Sequence, residues 1–119
     1  MTRRSQSKAS SALENKRARV VQCIRALPTG MVSSYGAIAK AAGWSGAARQ
    51  VVQILRQTQG LPWHRVIGSG GAIKLSGENA AEQRIRLRME GVGFRGARVD
   101  MKKHEYKFPK RSASKSKRR

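Results

Sequence analysis

Val32-Ser33-Ser34-Tyr35-Gly36-Ala37-Ile38-Ala39-Lys40-Ala41-Ala42-Gly43 is followed by Trp44-Ser45 and then by Gly46-Ala47-Ala48-Arg49-Gln50-Val51-Val52-Gln53-Ile54-Leu55-Arg56-Gln57. The first stretch reads as a serine cap, a short alanine-rich helix and a glycine stop. The second reads as a capped helix from about Gly46 to Gln57, with Val51, Val52 and Leu55 on its buried side. Two short helices joined by a tight glycine-containing turn make a helix-turn-helix. With 26 Lys+Arg against 6 Asp+Glu and a net charge of +20, the motif is expected to serve nucleic acid.

Upstream, Ser11 and Glu14 have the spacing of a capping box. Leu13, Val20, Val21, Ile24 and Leu27 then recur at helical intervals until Pro28-Thr29-Gly30. A first helix is expected over roughly 12–27. Downstream, Pro62-Trp63-His64-Arg65-Val66-Ile67, the turn Gly68-Ser69-Gly70-Gly71 and Ala72-Ile73-Lys74-Leu75 read as a strand, a glycine turn and a returning strand, irregular at the proline. A last helix is expected at about 79–90, before Gly91-Val92-Gly93. The fold class is thus mostly α with a small β hairpin, a winged-helix-like helix-turn-helix DNA-binding domain. Val92, Phe94, Val99, Tyr106 and Phe108 read as core and C-terminal packing.

The charge divides the chain. Residues 1–19 hold six basic side chains and residues 101–119 nine, whereas 20–100 hold eleven against four acids. The ends are rich in Ser, Lys and Arg and poor in apolar residues, so they bury too little surface to offset chain entropy. Basic disordered segments are expected at 1–11 and 108–119, flanking one domain at 12–107. Neither a secretory signal nor a membrane-spanning run is present, so a soluble intracellular protein with no membrane partner is expected; a monomer is expected as well. Cys23 alone cannot form an intramolecular disulfide and reads as a small core residue. With His64 and His104 it gives too few soft ligands for structural zinc, and no metal or cofactor is implied.

Leu61-Pro62-Trp63-His64-Arg65-Val66-Ile67 resembles the P-C-H-R-V active-site motif of the O6-alkylguanine-DNA alkyltransferases, with tryptophan in place of cysteine. That replacement is the mark of the alkyltransferase-like proteins. Gly30-Met31-Val32-Ser33-Ser34-Tyr35-Gly36-Ala37-Ile38-Ala39 is similar to the family's G-x-V-x-T-Y-G-x-I-A, and Ala47-Ala48-Arg49-Gln50-Val51 to its A-x-R-x-V recognition helix. Arg88-Met89-Glu90-Gly91-Val92 is similar to L-x-x-E-G-V. Together these span roughly residues 17–95 in the same order and spacing.

Dealkylation needs an acceptor that becomes a good nucleophile. A thiolate beside histidine is one; indole has no accessible anion. No transferase activity is therefore expected, and Cys23, on the core face of another helix, is no substitute. Indole suits the wall of a base pocket, although a core aromatic is the alternative for Trp63. The expected lesion pocket comprises Trp63, Pro62, His64, Val66, Tyr35 and Ser76. The resemblance gives His64 and Glu90 a relay role that has no thiol to activate here, which leaves them as scaffolding.

The helix beginning Gly46-Ala47-Ala48-Arg49 is too bare to read bases in the major groove. Its small residues permit close approach to the minor groove, with Arg49 filling the space of an extruded base. The resemblance assigns Arg49 that same part and has Tyr35 crowd the phosphate and help rotate the nucleotide outward. The expected DNA-binding residues are Arg49, Tyr35, Ser34, Ala47, Ala48, Gln50 and Arg65. For Arg65 a structural ion pair is an equal alternative, for Tyr35 a core-edge tyrosine, and Trp44 either covers the core or touches sugar-phosphate. The family's asparagine after H-R-V-I is missing, and Leu75-Ser76-Gly77 offers no arginine or tyrosine to the base.

The expected function is a non-enzymatic sensor that binds O6-alkylguanine in double-stranded DNA and flags it for nucleotide excision repair proteins, in the cytoplasm and nucleoid or in a nucleus. The alternatives are a non-specific basic winged-helix architectural or regulatory protein, for which the charge alone suffices, and an alkyltransferase with an unrecognised acceptor.

Overall fold

The computed structural model describes residues 2–109, for residues 2–10 the backbone alone; Met1 and residues 110–119 lie outside. Helix α1 spans Thr2–Arg25, β1 Ser33–Ser34, α2 Tyr35–Ala41 and α3 Ala48–Gln57. A 3-10 turn at Trp63–Arg65 leads into β2, Val66–Ile67, and a second at Ser69–Gly71 leads towards α4, Gly77–Met89. The chain closes with β3 at Phe94–Arg95, β4 at Arg98–Val99 and a short α5 at Met101–His104.

The helix-turn-helix forms as its sequence dictates. Ser34 caps α2, its Oγ accepting the Ala37 amide at 3.1 Å. Gly43 (φ +80°) and Gly46 (φ +84°) take left-handed conformations on either side of Trp44-Ser45, closed by Trp44 N–H to the Ala39 carbonyl at 2.9 Å. Gly46 therefore stands outside α3, which begins two residues later than expected. Val20 and Ile24 from α1 with Leu27 just beyond it, Ile38 and Ala39 from α2 with its C-cap Ala42, and Val51 and Ile54 from α3 with its N-cap Ala47 bury against Leu61 and Val66. Half-buried Cys23 and Trp44 pack against this cluster, and Lys16 Nζ lies 5.7 Å from the Trp44 ring centroid.

Two expectations are corrected. The helical backbone starts at Thr2, not near residue 12, because Thr2 to Ser10 includes no proline or glycine to stop it. Leu13, assigned to the buried face, is half exposed, and α1 enters the core only at Val20.

The hairpin is also elsewhere. Residues 62–67 and 72–75 do not pair as strands; instead Val66–Ile67 runs parallel to Ser33–Ser34, with Ser33 opposite Val66 and Ser34 opposite Ile67. Pro62 lacks an amide, and the Trp63 and Arg65 amides turn back to the Leu61 and Pro62 carbonyls. Val66 and Ile67 are both buried, as in a strand covered on both faces. Gly71 (φ +90°) then lies so close to β4 that a Cβ there would stand 2.4 Å from the Val99 carbonyl oxygen. That approach diverts the chain from a return strand. The small hairpin of the fold is β3–β4, packed in a second cluster of Val32, Ile67, Leu87, Val92 and Val99 with Phe94.

The C-terminal segment is stitched to the residue before β1: Val32 N–H bonds the His104 carbonyl and Tyr106 N–H the Val32 carbonyl, each at 2.8 Å. Tyr106 and Phe108 stack edge to face at 4.9 Å and pack on the first cluster, so the packed domain reaches Phe108.

Candidate nucleic-acid interface

Glu90, just past the end of α4, ties the site together. Its Oε2 lies 2.6 Å from His64 Nε2, its Oε1 accepts the Gly30 amide at 2.9 Å, and Arg65 donates to both oxygens, from Nη2 at 2.8 Å and from Nε at 3.0 and 3.2 Å. Arg65 spends its remaining reach on the Leu27 carbonyl at 2.9 Å and Thr29 Oγ1 at 3.0 Å. Burial pushes the Glu90 carboxyl up, but hydrogen bonds from Arg65, Gly30 and His64 outweigh it and bring its pKa from 4.5 to about 2. Arg65 thus stands in a structural ion pair, with its guanidinium turned to Glu90, Leu27 and Thr29.

Behind this clamp, Gln83 is fully buried and donates its amide to the His64 and Val66 carbonyls at 3.1 and 2.9 Å. It holds the 3-10 turn from the α4 side. The turn that carries Trp63 is therefore fixed from both sides while the indole itself stays half-buried.

The indole faces a surface cavity of about 290 Å³ lined by Tyr35, Val52, Leu55, Arg56, Trp63, Leu75 and Asn79. That volume is near the lower bound of about 300 Å³ for small-molecule sites. Arg86 Cζ lies 5.5 Å from the Trp63 ring centroid and is held there by Glu82, one turn earlier on α4, at 2.7 Å. Tyr35 opens α2; burial raises its phenol pKa above 10, opposed by the charge of Arg56.

Of the expected pocket residues, Tyr35 and Trp63 line this cavity. Pro62 and the exposed Ser76 stand outside its lining, His64 is turned into the clamp, and Val66 is in the core. Val52, Leu55, Arg56, Leu75 and Asn79 were not anticipated. A signal existed for three: Val51 and Ile54 already fill the core face of α3, leaving Val52 and Leu55 as surplus apolar residues one step round, beside Arg56. At the start of α3 Arg49 is exposed, Ala48 and Gln50 are half-exposed and Ala47 is buried; Ser34 is committed to its cap. Among the described residues no three His, Cys, Asp or Glu side chains group as metal ligands, and no helix is long and apolar enough to cross a membrane.

These features define a helix-turn-helix domain with a side pocket walled by indole and phenol. The chain belongs to the family described as 6-O-methylguanine DNA methyltransferase, DNA binding domain, whose model matches residues 15–92. It is 39% identical over 94 residues to the DNA base-flipping protein of Escherichia coli, spanning 76% of this chain and 73% of that one. It is 34% identical over 94 residues to alkyltransferase-like protein 1 of Schizosaccharomyces pombe, with 76% and 87% covered. The fold superposes on a crystal structure of the S. pombe alkyltransferase-like protein in complex with damaged DNA containing O6-carboxymethylguanine, at a TM-score of 0.67 and 31% identity over 80% of this chain and 97% of that one. A structure of Mycobacterium tuberculosis OGT in complex with DNA matches at 0.56, with 34% identity over 62% and 48%.

Proposed function

We propose that this protein is a non-enzymatic sensor of O6-alkylguanine in duplex DNA. The observation that carries the reading is the Trp63 indole lining a cavity with Tyr35; by the resemblance of Leu61–Ile67 to the alkyltransferase motif, Trp63 takes the position of the acceptor cysteine. Indole accepts no alkyl group at neutral pH, so the site binds without turnover. The start of α3 docks in the minor groove, Arg49 takes the place of the extruded base, and Tyr35 supports its rotation. Flipping is least costly for a weakly paired damaged base, which contributes part of the selectivity. The S. pombe relative is described in complex with DNA carrying such a lesion, which supports the same ligand class here. The bound protein then marks the lesion for nucleotide excision repair, wherever the chromosome lies, in a nucleoid or a nucleus.

The test is competition binding at physiological salt between duplexes identical except for one guanine or O6-methylguanine, using wild type, Trp63→Ala and Arg49→Ala. The proposal requires that wild type prefer the lesion and that both variants lose the preference. Equal binding by all three supports the non-specific architectural reading instead. Transfer of a labelled methyl group to the protein contradicts the non-enzymatic part.

A further inference from the structure

The β3–β4 hairpin carries a charge arrangement that the packing of the domain does not use. Phe94 pairs with Val99 and Arg95 with Arg98 across a two-residue turn, Gly96-Ala97. Gly96 has φ +63° and, among the described residues, no non-glycine residue has positive φ, so Ala97 follows with negative φ in the type II′ pattern of a tight turn. Arg95 and Arg98 are therefore directly opposite each other, where like charges destabilise a hairpin. Both are exposed, and no ion pair among the described residues includes either. Arg88 takes no part in this pair: its Cζ lies 5.1 Å from the ring centroid of Phe94, whose side chain alternates to the other face of the hairpin.

The hairpin is also aimed. Gly71 abuts the Val99 backbone, and a Cβ on Gly70 would lie 2.9 Å from Arg98 Nη1, so this guanidinium rests on the 68–71 turn. Lys74 covers Gly68 in the same loop, which then continues to Leu75 in the wall of the cavity. The loop thus links Arg98 and Lys74 to the cavity that Arg56 lines from α3. The five steps from Gly70 to Leu75 span at most about 17 Å, or about five nucleotide steps of one strand.

We propose that Arg95 and Arg98 grip the phosphodiester backbone of the strand that flanks the everted nucleotide, as a second nucleic-acid contact separate from the helix-turn-helix. Two guanidinium forks held on a narrow turn match the oxygens of a phosphate, and binding one relieves their mutual repulsion. The inference rests on the lesion-binding function in placing the flipped nucleotide at the cavity; the phosphate contact itself needs only DNA.

The experiment uses the full chain and the same two duplexes, measuring affinity from about 50 to 200 mM salt, where each phosphate contact contributes about 0.9 to the slope of log K against log salt. Loss of two contacts in Arg95→Gln/Arg98→Gln is expected to reduce the slope by about 1.8. The preference for O6-methylguanine should be retained. Phosphate-ethylation interference should disappear within about five nucleotides of the lesion, on one side of it. Arg95→Lys/Arg98→Lys should keep most of the slope. Thermal melting should show the Gln variant at least as stable as wild type, since a like-charge pair has been removed. An unchanged slope with unchanged interference overturns the grip, including the case in which the hairpin serves an acidic protein partner. If wild type fails to prefer the lesion but the slope still falls, the lesion-binding function fails and the phosphate contact stands.

Discussion

His64 Nε2 and Glu90 Oε2 lie 2.6 Å apart, joining the turn after Pro62 to the end of α4 across 26 positions of chain. The same carboxylate holds Arg65 and the Gly30 amide. Since its pKa falls from 4.5 to about 2 on folding, the clamp contributes stability that is fully present above pH 4.5 and is lost as pH falls towards 2. Glu90→Gln should flatten that acid limb and cost about 3 kcal/mol at neutral pH, the low end for removing one partner of a largely buried pair. Melting curves between pH 2 and 6 for both proteins check the slope and its sign.

Tyr35 and Arg56 share the cavity wall, and Arg56 opposes the rise in the Tyr35 pKa caused by burial. Arg56→Gln should therefore push the phenol higher still. A spectrophotometric titration above pH 10, with Tyr35→Phe to identify the transition, measures it; a downward shift would show that Arg56 does not face the phenol.

Gly71→Ala should destabilise the fold by about 2 kcal/mol or more, because the residue sits at φ +90° with its missing Cβ directed at the Val99 carbonyl. Urea denaturation gives the loss. Amide exchange should quicken first in β3 and β4, where the displaced backbone lies.

The basic ends are expected to raise affinity for all DNA without adding selectivity. Residues 110–119 contain six Lys and Arg, and deleting them should reduce the salt slope while leaving the preference for the lesion. Cutting back through Tyr106 should also lower the melting temperature, because Tyr106 and Phe108 pack on the first core cluster. Equal melting temperatures for the two truncations would refute that division.

The helix-turn-helix was legible because its signals are local: a serine that caps, glycines that must turn left-handed, and apolar residues at helical spacing. The hairpin was misplaced for a non-local reason. Gly68 to Gly71 has the composition of a hairpin turn, but Gly71 is small in order to admit β4, a strand 28 residues further along. The parallel pairing of Val66 with Ser33 likewise depends on a partner that no short window contains. Trp63 and Tyr35 could be read from motif chemistry. Leu75 and Asn79 could not, since they reach the cavity only through the path of the 68–76 loop and the start of α4. Arg65 illustrates the same limit: its type suits a phosphate, and only the arrangement of Glu90, Leu27 and Thr29 around it shows its structural employment.

The Glu90 clamp engages His64 and Arg65 and leaves the side chain at position 63 outside its hydrogen bonds. Position 63 is therefore like a tool-bit in a chuck: the hydrogen bonds that grip the turn are made by its neighbours and not by its own side chain. A scaffold built this way can exchange chemistry for recognition at one codon, with its mechanical integrity vested in the neighbours.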